Sequence, residues 1–550
     1  LLNIVLQKIH FYDRLFIYIK TLKPCMKYDI LIKNGIIFDG TAKDAFMSSL
    51  GIKNGKIIRI GNDILDKDAK NVINASNKYV CPGFIDINNS ADHYLGILNS
   101  PKATNLLAQG ITTIILGHCG ASLAPIVNGK LDFLNYWTTT QDINISWNYV
   151  DEFLKYLHKI KVGVNVGTLI GWNTIRQSVV GPEFKPLTKD NLDSCLFLLK
   201  ESLLAGGMGV SFGLAYPNQQ VVGLKEMIEA SKLVTKYNGL VSIHLRSESE
   251  KLLEAVDEVI DLARKTNANI EITHFKAYGK PNWPLFAKAI AKIKQVNETF
   301  HTNINFDIYP YELTAESLYL LLPEWLSIGD EYTLRKNLED TKIYKNLLKI
   351  LKNKHDLYAN MFFAANSSDF VFGGKTLKQV AKQFNLTIEQ TLLKILSLKP
   401  KQILVYDNAV SNENIQLALK SPYCIVSSNS TIHNTEKYYS DNFIHPRAFG
   451  TFPRLFDLYV KELSTLSFKE AIYKCTGLPS KKLNLKTKGI IKLNNDADIV
   501  IFNPQTIKDT ANIKNPFTAP KGIETVIVNG KLSIHKGQPL SSYAGQILSL

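Results

Sequence analysis

The chain has 550 residues, 45% of them hydrophobic and 21% charged, a composition ordinary for a soluble globular protein and long enough for a large domain beside a smaller one. The formal net charge of +15 comes from lysines scattered among Asn and Ile, without a basic block or an aromatic RNA-binding signature, so no nucleic-acid partner is expected. No apolar run reaches the roughly 18 residues that span a bilayer, and the six cysteines share no CxxC spacing, which excludes a disulfide framework and fits a reducing, cytoplasmic compartment with no membrane partner.

Residues 1–25 alternate apolar with basic residues and lack an apolar signal-peptide core. They are expected to be a non-native or disordered extension of the gene start, with an amphipathic membrane-surface helix as the second reading. From Met26 the pattern becomes regular. Residues 26–80 read as short strands, with hairpin turns expected at Asn34-Gly35 and Asn54-Gly55. The same pattern returns near 496–504 and 525–538. The two ends, 26–80 and 481–550, are therefore expected to form one small β domain, a β-sandwich, with a large domain inserted between them.

Residues 81–480 alternate apolar strands with amphipathic helices. The candidate strands are 84–88, 111–117, 162–171, 209–214, 240–245, 270–274, 303–311 and 423–429. Eight such units predict an α/β fold, a parallel (β/α)8 TIM-like barrel, in which chemistry sits at the C-terminal strand ends. Residues from about 330 to 400 are helical and Lys-rich and are expected to be an insertion between the last two strands.

Three ligand-type residues fall at those strand ends: Cys119 in ILGHCG, His244 in LVSIHLR and His274 in IEITHFK. Thiolate and imidazole are good zinc ligands, and three of them leave a fourth position for water. Each residue alone reads more often as a structural or simply buried group; it is the shared placement that points to one zinc ion.

The motifs GHCGASLAPI, SFGLAYP, SIHLRSE, ITHFKAYG, DIYPY, HPRAFGTFPR and ADIVIFNP occur in one order over roughly residues 27–545. Together they resemble the N-acyl-D-amino-acid deacylases (D-aminoacylases) of the amidohydrolase superfamily. The resemblance implies a zinc-dependent hydrolase that cleaves the amide of an N-acyl-D-amino acid with a zinc-bound water. It implies that Cys119, His244 and His274 hold the tight zinc, and that Arg447 grips the carboxylate of a small-molecule N-acyl amino acid, with Lys276 and Tyr311 near the substrate.

The chain also departs from the family pattern. Asn88-Asn89-Ser90 stands where the family has His-x-His, so a second metal is not expected. Asn429 stands at the position of the catalytic aspartate, and an amide cannot accept a proton at neutral pH. Replacement bases would have to come from His433, Glu436, Asp441 or His445. His118, beside Cys119, is expected to point away from the metal. The alternatives are a catalytically impaired relative that binds zinc or ligand without efficient turnover, and an amidohydrolase of shifted substrate.

Overall fold

The computed structural model describes residues 27–127, 131, 134, 137, 138, 145–181, 185–327, 331–353, 355–364, 372–398, 403–434 and 444–550. The extension expected over 1–25, and the candidate bases Glu436 and Asp441, lie outside the described residues.

The two chain ends share one nine-stranded sheet. Its N-terminal strands are Tyr28–Ile37, Phe46–Lys53, Lys56–Ile60, Ala69–Asn74 and Tyr79–Pro82; its C-terminal strands are Ile499–Phe502, Ile523–Val528, Lys531–His535 and Gln538–Pro539. The join is antiparallel, with Ile499 opposite Pro82 and Phe502 opposite Tyr79. β-Branched and aliphatic residues at alternating positions, such as Ile30 and Ile32, Leu50 and Ile52, Ile499 and Ile501, put one apolar face on a common core.

Of the two expected hairpins, one forms. Asn54 and Gly55 both have positive φ, 49° and 80°, as a type I′ turn needs, and link Phe46–Lys53 to Lys56–Ile60. Asn34-Gly35 is instead a bulge inside the Tyr28–Ile37 strand, where the register shifts between Ile32 and Gly35. The cause is the approach of a third strand. A Cβ on Gly35 would sit 2.5 Å from Val80 Cγ2, so glycine here admits the Tyr79–Pro82 strand rather than closing a turn.

The middle of the chain forms two parallel sheets. One contains Phe84–Asp86, Ile111–Leu116 and Asn165–Thr168; the other contains Ile170–Gly171, Gly209–Gly213, Leu240–His244, Asn269–Ile272, Asn303–Ile308 and Cys424–Val426. These strands are buried almost throughout, as parallel strands covered by crossover helices should be. The helices include Val150–Ile160, Lys189–Leu204, Leu224–Lys236, Leu252–Thr266 and Trp283–Phe300. The strand expected over 162–171 breaks at Leu169, where the chain crosses from one sheet to the other while Leu169 N donates to Leu116 O at 2.8 Å. At the opposite edges, Asn429 N donates to Asn88 O at 2.9 Å.

Between the Asn303–Ile308 and Cys424–Val426 strands the chain is not purely helical, and its strands begin before residue 330. Strand Leu313–Ser317 pairs antiparallel with Leu404–Asn408, which also pairs with Phe362–Phe363. Helices Thr341–Lys352, Leu377–Phe384 and Ile388–Leu398 pack their Leu residues with this sheet in a separate apolar cluster. Among the described residues, no helix is long and apolar enough to cross a membrane.

Candidate metal centre

Cys119 lies three residues past the Ile111–Leu116 strand, His244 ends Leu240–His244, and His274 lies two residues past Asn269–Ile272. Parallel pairing brings these ends together. Cys119 Sγ is 3.6 Å from His244 Nδ1 and 3.7 Å from His274 Nε2, and the three ligand atoms lie within 4.8 Å of one another. With Zn–S about 2.3 Å and Zn–N about 2.05 Å at a tetrahedral angle, sulfur and nitrogen would stand about 3.6 Å apart. The donor set and its spacing therefore fit a tetrahedral zinc ion.

All three residues are buried, with Cys119, His244 and His274 only 6%, 4% and 5% exposed. Burial drives the His244 imidazole well below its usual range, and the neighbouring His274 adds to the shift. Burial does the same to His274, reinforced by Lys276 and Arg447. Both rings are thus neutral, the form that ligates metal. Burial pushes the Cys119 thiol up, so a metal cation must displace its proton.

The backbone is bent sharply at these positions. Cys119 (φ 54°), His274 (φ 37°) and Asn429 (φ 41°) all occupy the left-handed region, which is costly for a cysteine and more tolerable for an asparagine or histidine. Gln219 fastens the first bend. Its Nε2 donates to Cys119 O at 2.9 Å, while its Oε1 accepts from Gly213 N at 2.7 Å. Asp92 fastens the residues before it, with Oδ2 accepting from Gly117 N at 2.8 Å.

Glu248 orients His274. Its Oε1 lies 3.1 Å from His274 Nδ1, which leaves Nε2 facing the cysteine. Its other oxygen is 2.5 Å from Lys276 Nζ, and Glu316 Oε1 is 3.5 Å from the same ammonium. Burial alone would lower the Lys276 ammonium, but the two carboxylates outweigh it and the net shift is upward. Arg447 opens the Arg447–Arg454 helix with its guanidinium 4.6 Å above the Tyr309 ring. Its Nη1 is buried without a hydrogen-bond partner.

Tyr311 lines one cavity together with His274, Lys276 and Tyr309. Its hydroxyl donates to Asp509 Oδ2 at 2.8 Å and Arg454 covers its ring, whereas Tyr309 supports Arg447. His118 Nδ1 pairs with Ser242 Oγ at 3.0 Å, and His118 is not among the clustered ligand atoms. Both nitrogens of His445 are engaged, Nε2 with Leu313 O at 2.9 Å and Nδ1 with Arg447 N at 3.0 Å. His433 stacks against Phe449.

The three departures from the family pattern form one cluster. Ser90 Oγ donates to Asn429 Oδ1 at 3.4 Å, Asn429 N donates to Asn88 O, and Asn88 Nδ2 lies 3.3 Å from both oxygens of Asp307. Burial raises the Asp307 carboxyl to about 7, against hydrogen bonds from Ser427, the His274 backbone and Asn88. Glu248, Glu316, Tyr309, Gln219 and Asp307 are not legible as site residues in the sequence. A polar run such as Ser247-Glu248-Ser249-Glu250 reads as an ordinary loop, and only its closeness to the HLR motif singles it out.

Parallel strands that present a Cys-His-His trio just past their C-terminal ends are the arrangement expected of the amidohydrolase superfamily, to which the homologues of this chain belong. No family model matches the chain, but whole-length relatives do. It is 25% identical over 533 residues to a D-aminoacylase of Alcaligenes xylosoxydans xylosoxydans, covering 95% of this chain and 98% of that protein. It is 26% identical over 531 residues to an N-acyl-D-aspartate deacylase of the same organism, covering 95% of each. The crystal structure of the N-acyl-D-glutamate deacylase of Bordetella bronchiseptica, complexed with zinc and a phosphonate mimic of the tetrahedral intermediate, superposes with a TM-score of 0.80 at 25% identity, covering 95% of this chain and all of that one. The chain is a homologue of the N-acyl-D-amino-acid deacylases.

Proposed function

We propose that the chain is a mononuclear zinc amidohydrolase acting on the amide of an N-acyl-D-amino acid, with Cys119, His244 and His274 as ligands. The observation that carries this reading is the pair of sulfur–nitrogen distances, 3.6 and 3.7 Å, in a buried trio with neutral imidazoles. Zinc bound there would supply a Lewis acid for an amide carbonyl and lower the pKa of a coordinated water. The remaining work belongs to the chain. Glu248 holds the His274 tautomer, and Arg447, braced on Tyr309 with a buried unpartnered nitrogen, offers its fork to the substrate carboxylate.

We further propose that the two parallel sheets close on one another as a (β/α)8 barrel over residues 81–480, flanked by the small β domain of 26–80 and 481–550. The bonds from Leu169 N to Leu116 O and from Asn429 N to Asn88 O, at the two places where the sheets meet, support closure.

A second reading has its own observation. Asn429 accepts from Ser90 Oγ and donates its backbone N–H to Asn88 O, so the missing second-metal pair and the missing base adjoin in one altered cluster. This favours an impaired relative that binds zinc and ligand with little turnover. Metal analysis of the purified protein tests what both readings share. We expect close to one zinc per chain and its loss in Cys119→Ala; wild-type protein that takes up no zinc would refute both.

A further inference from the structure

The Arg447–Arg454 helix is seated at both ends on the Tyr309-Pro310-Tyr311 segment. Arg447 lies 4.6 Å over the Tyr309 ring and Arg454 lies 4.6 Å over the Tyr311 ring, while Arg454 Nε donates to Pro310 O at 2.7 Å. The second seat is tied to the nine-stranded sheet. Asp509, on the connection between Ile499–Phe502 and Ile523–Val528, accepts the Tyr311 hydroxyl on Oδ2 at 2.8 Å, with Arg454 Nη1 3.7 Å from the same oxygen. Its Oδ1 accepts from Ala511 N at 2.9 Å, and its side chain is only 5% exposed. Gly450, between the two arginines, leaves room for this contact: a Cβ there would stand 2.0 Å from Asp509 Oδ1 and 2.5 Å from the Tyr311 hydroxyl. Ala448 and Phe449 pack with Ala511 and Phe517 of the same connection. Lys461, on the π-helix Leu455–Glu462 that follows, donates to Gln505 O at 3.2 Å and to Ile507 O at 3.0 Å.

We propose that Asp509 is a positioning residue: reaching from the small β domain, it fixes the far end of the Arg447–Arg454 helix and thereby the placement of the Arg447 guanidinium. Eight helical residues span about 10 Å and move as one body, so a shift at Arg454 is passed to Arg447. Both oxygens of Asp509 accept from donors, which an ionised carboxylate satisfies; an amide, turned either way, sets its N–H against another donor. The fork of a guanidinium on a carboxylate is geometrically exacting, so a displaced Arg447 loses affinity for a carboxylate and not for the matching amide.

Because this role rests on the amidohydrolase reading, in which Arg447 receives the substrate carboxylate, wild type is measured first. N-Acetyl-D-leucine and N-acetyl-D-leucinamide, which differ in the carboxylate alone, are titrated calorimetrically into the zinc-loaded full chain in the cold, where turnover is slow against the titration. Wild type should bind the acid about ten-fold more tightly than the amide. Asp509→Asn should weaken the acid about ten-fold, leave the amide within about two-fold and keep the zinc content. In an Arg447→Gln background the same change should weaken neither compound, since the two residues act in series. No loss in folded Asp509→Asn, an equal loss for acid and amide, lost zinc, or a loss that persists with Arg447→Gln overturns the role of Asp509 and leaves the amidohydrolase reading standing. Wild type that binds acid and amide equally removes the carboxylate grip at Arg447 and this role with it; wild type that binds neither overturns the amidohydrolase reading as well. Should Asp509→Asn not fold, Tyr311→Phe, which deletes the same hydrogen bond and keeps the ring under Arg454, decides by the same two ligands.

Discussion

Replacing Glu248 with glutamine tests how the metal centre is held. The carboxylate gives one oxygen to His274 Nδ1 at 3.1 Å and the other to Lys276 Nζ at 2.5 Å, so both partners are donors and both need an acceptor. An amide has one acceptor oxygen and one donor nitrogen. Whichever way the substituted amide turns, either the imidazole N–H or the ammonium faces another donor. A charge-assisted hydrogen bond at a buried site is worth about 1.5–3 kcal/mol. The part that bears on metal binding is the orientation of His274, whose Nε2 must face Cys119 Sγ. Loss of such a partner weakens metal affinity about 10–100-fold, or about 1.4–2.7 kcal/mol. Competition with a chromogenic zinc chelator measures this directly, with circular dichroism to confirm that the variant is folded. Zinc affinity within about two-fold of wild type in a folded Glu248→Gln variant would refute the claim that Glu248 fixes this ligand.

Three further outcomes are expected. Asn429→Asp should raise deacylation of N-acetyl-D-amino acids, by up to about 10²–10⁴-fold where proton transfer limits the rate; equal and efficient turnover by wild type and variant would show that residue 429 is not at the base position. Burial raises the Asp86 carboxyl to about 6, against hydrogen bonds from Asn89 and Ser428. Such a group contributes its stability below its unfolded value near 4 and loses it as the pH rises through about 6, a change of about 3 kcal/mol. Urea unfolding should therefore show a flatter stability profile for Asp86→Asn than for wild type between about pH 4 and pH 7, and identical slopes would exclude Asp86 as the source. Leu392, fully buried in the insertion cluster, should cost about 2–5 kcal/mol on truncation to alanine. Calorimetry should register that loss with zinc content unchanged, and a smaller loss would mean that the cluster collapses around the cavity.

The strand ends are legible because a buried parallel strand is a short continuous apolar run, and the residue that ends the run is visible at once. Cys119, His244 and His274 fall together on that ground. Their supports do not, since a hydrogen-bond partner has no periodicity. Glu248 sits in a polar loop, and Glu316 belongs to a strand of the insertion that pairs with residues some ninety positions away. The Tyr309-Pro310-Tyr311 motif marks a cavity lined by both rings, but not which of them lies under Arg447. The Asn303–Ile308 strand stops before it, and alternation no longer says which tyrosine faces Arg447. Asn34-Gly35 reads as a turn in any local window; only the third strand, arriving at Val80, makes it a bulge.

The left-handed backbone at Cys119 and His274 has a consequence for how this chain persists in a cell. A side-chain-bearing residue in that conformation costs about 1–2 kcal/mol, so the metal-free fold carries a local burden at the two bends. Saturation with an ion at about a hundred times its dissociation constant returns about 2.7 kcal/mol by mass action. The two quantities are of similar size and opposite sign. Zinc bound at the trio, as proposed above, would thus offset the cost of the two bends and stabilise the folded chain by an amount set by the free ion concentration.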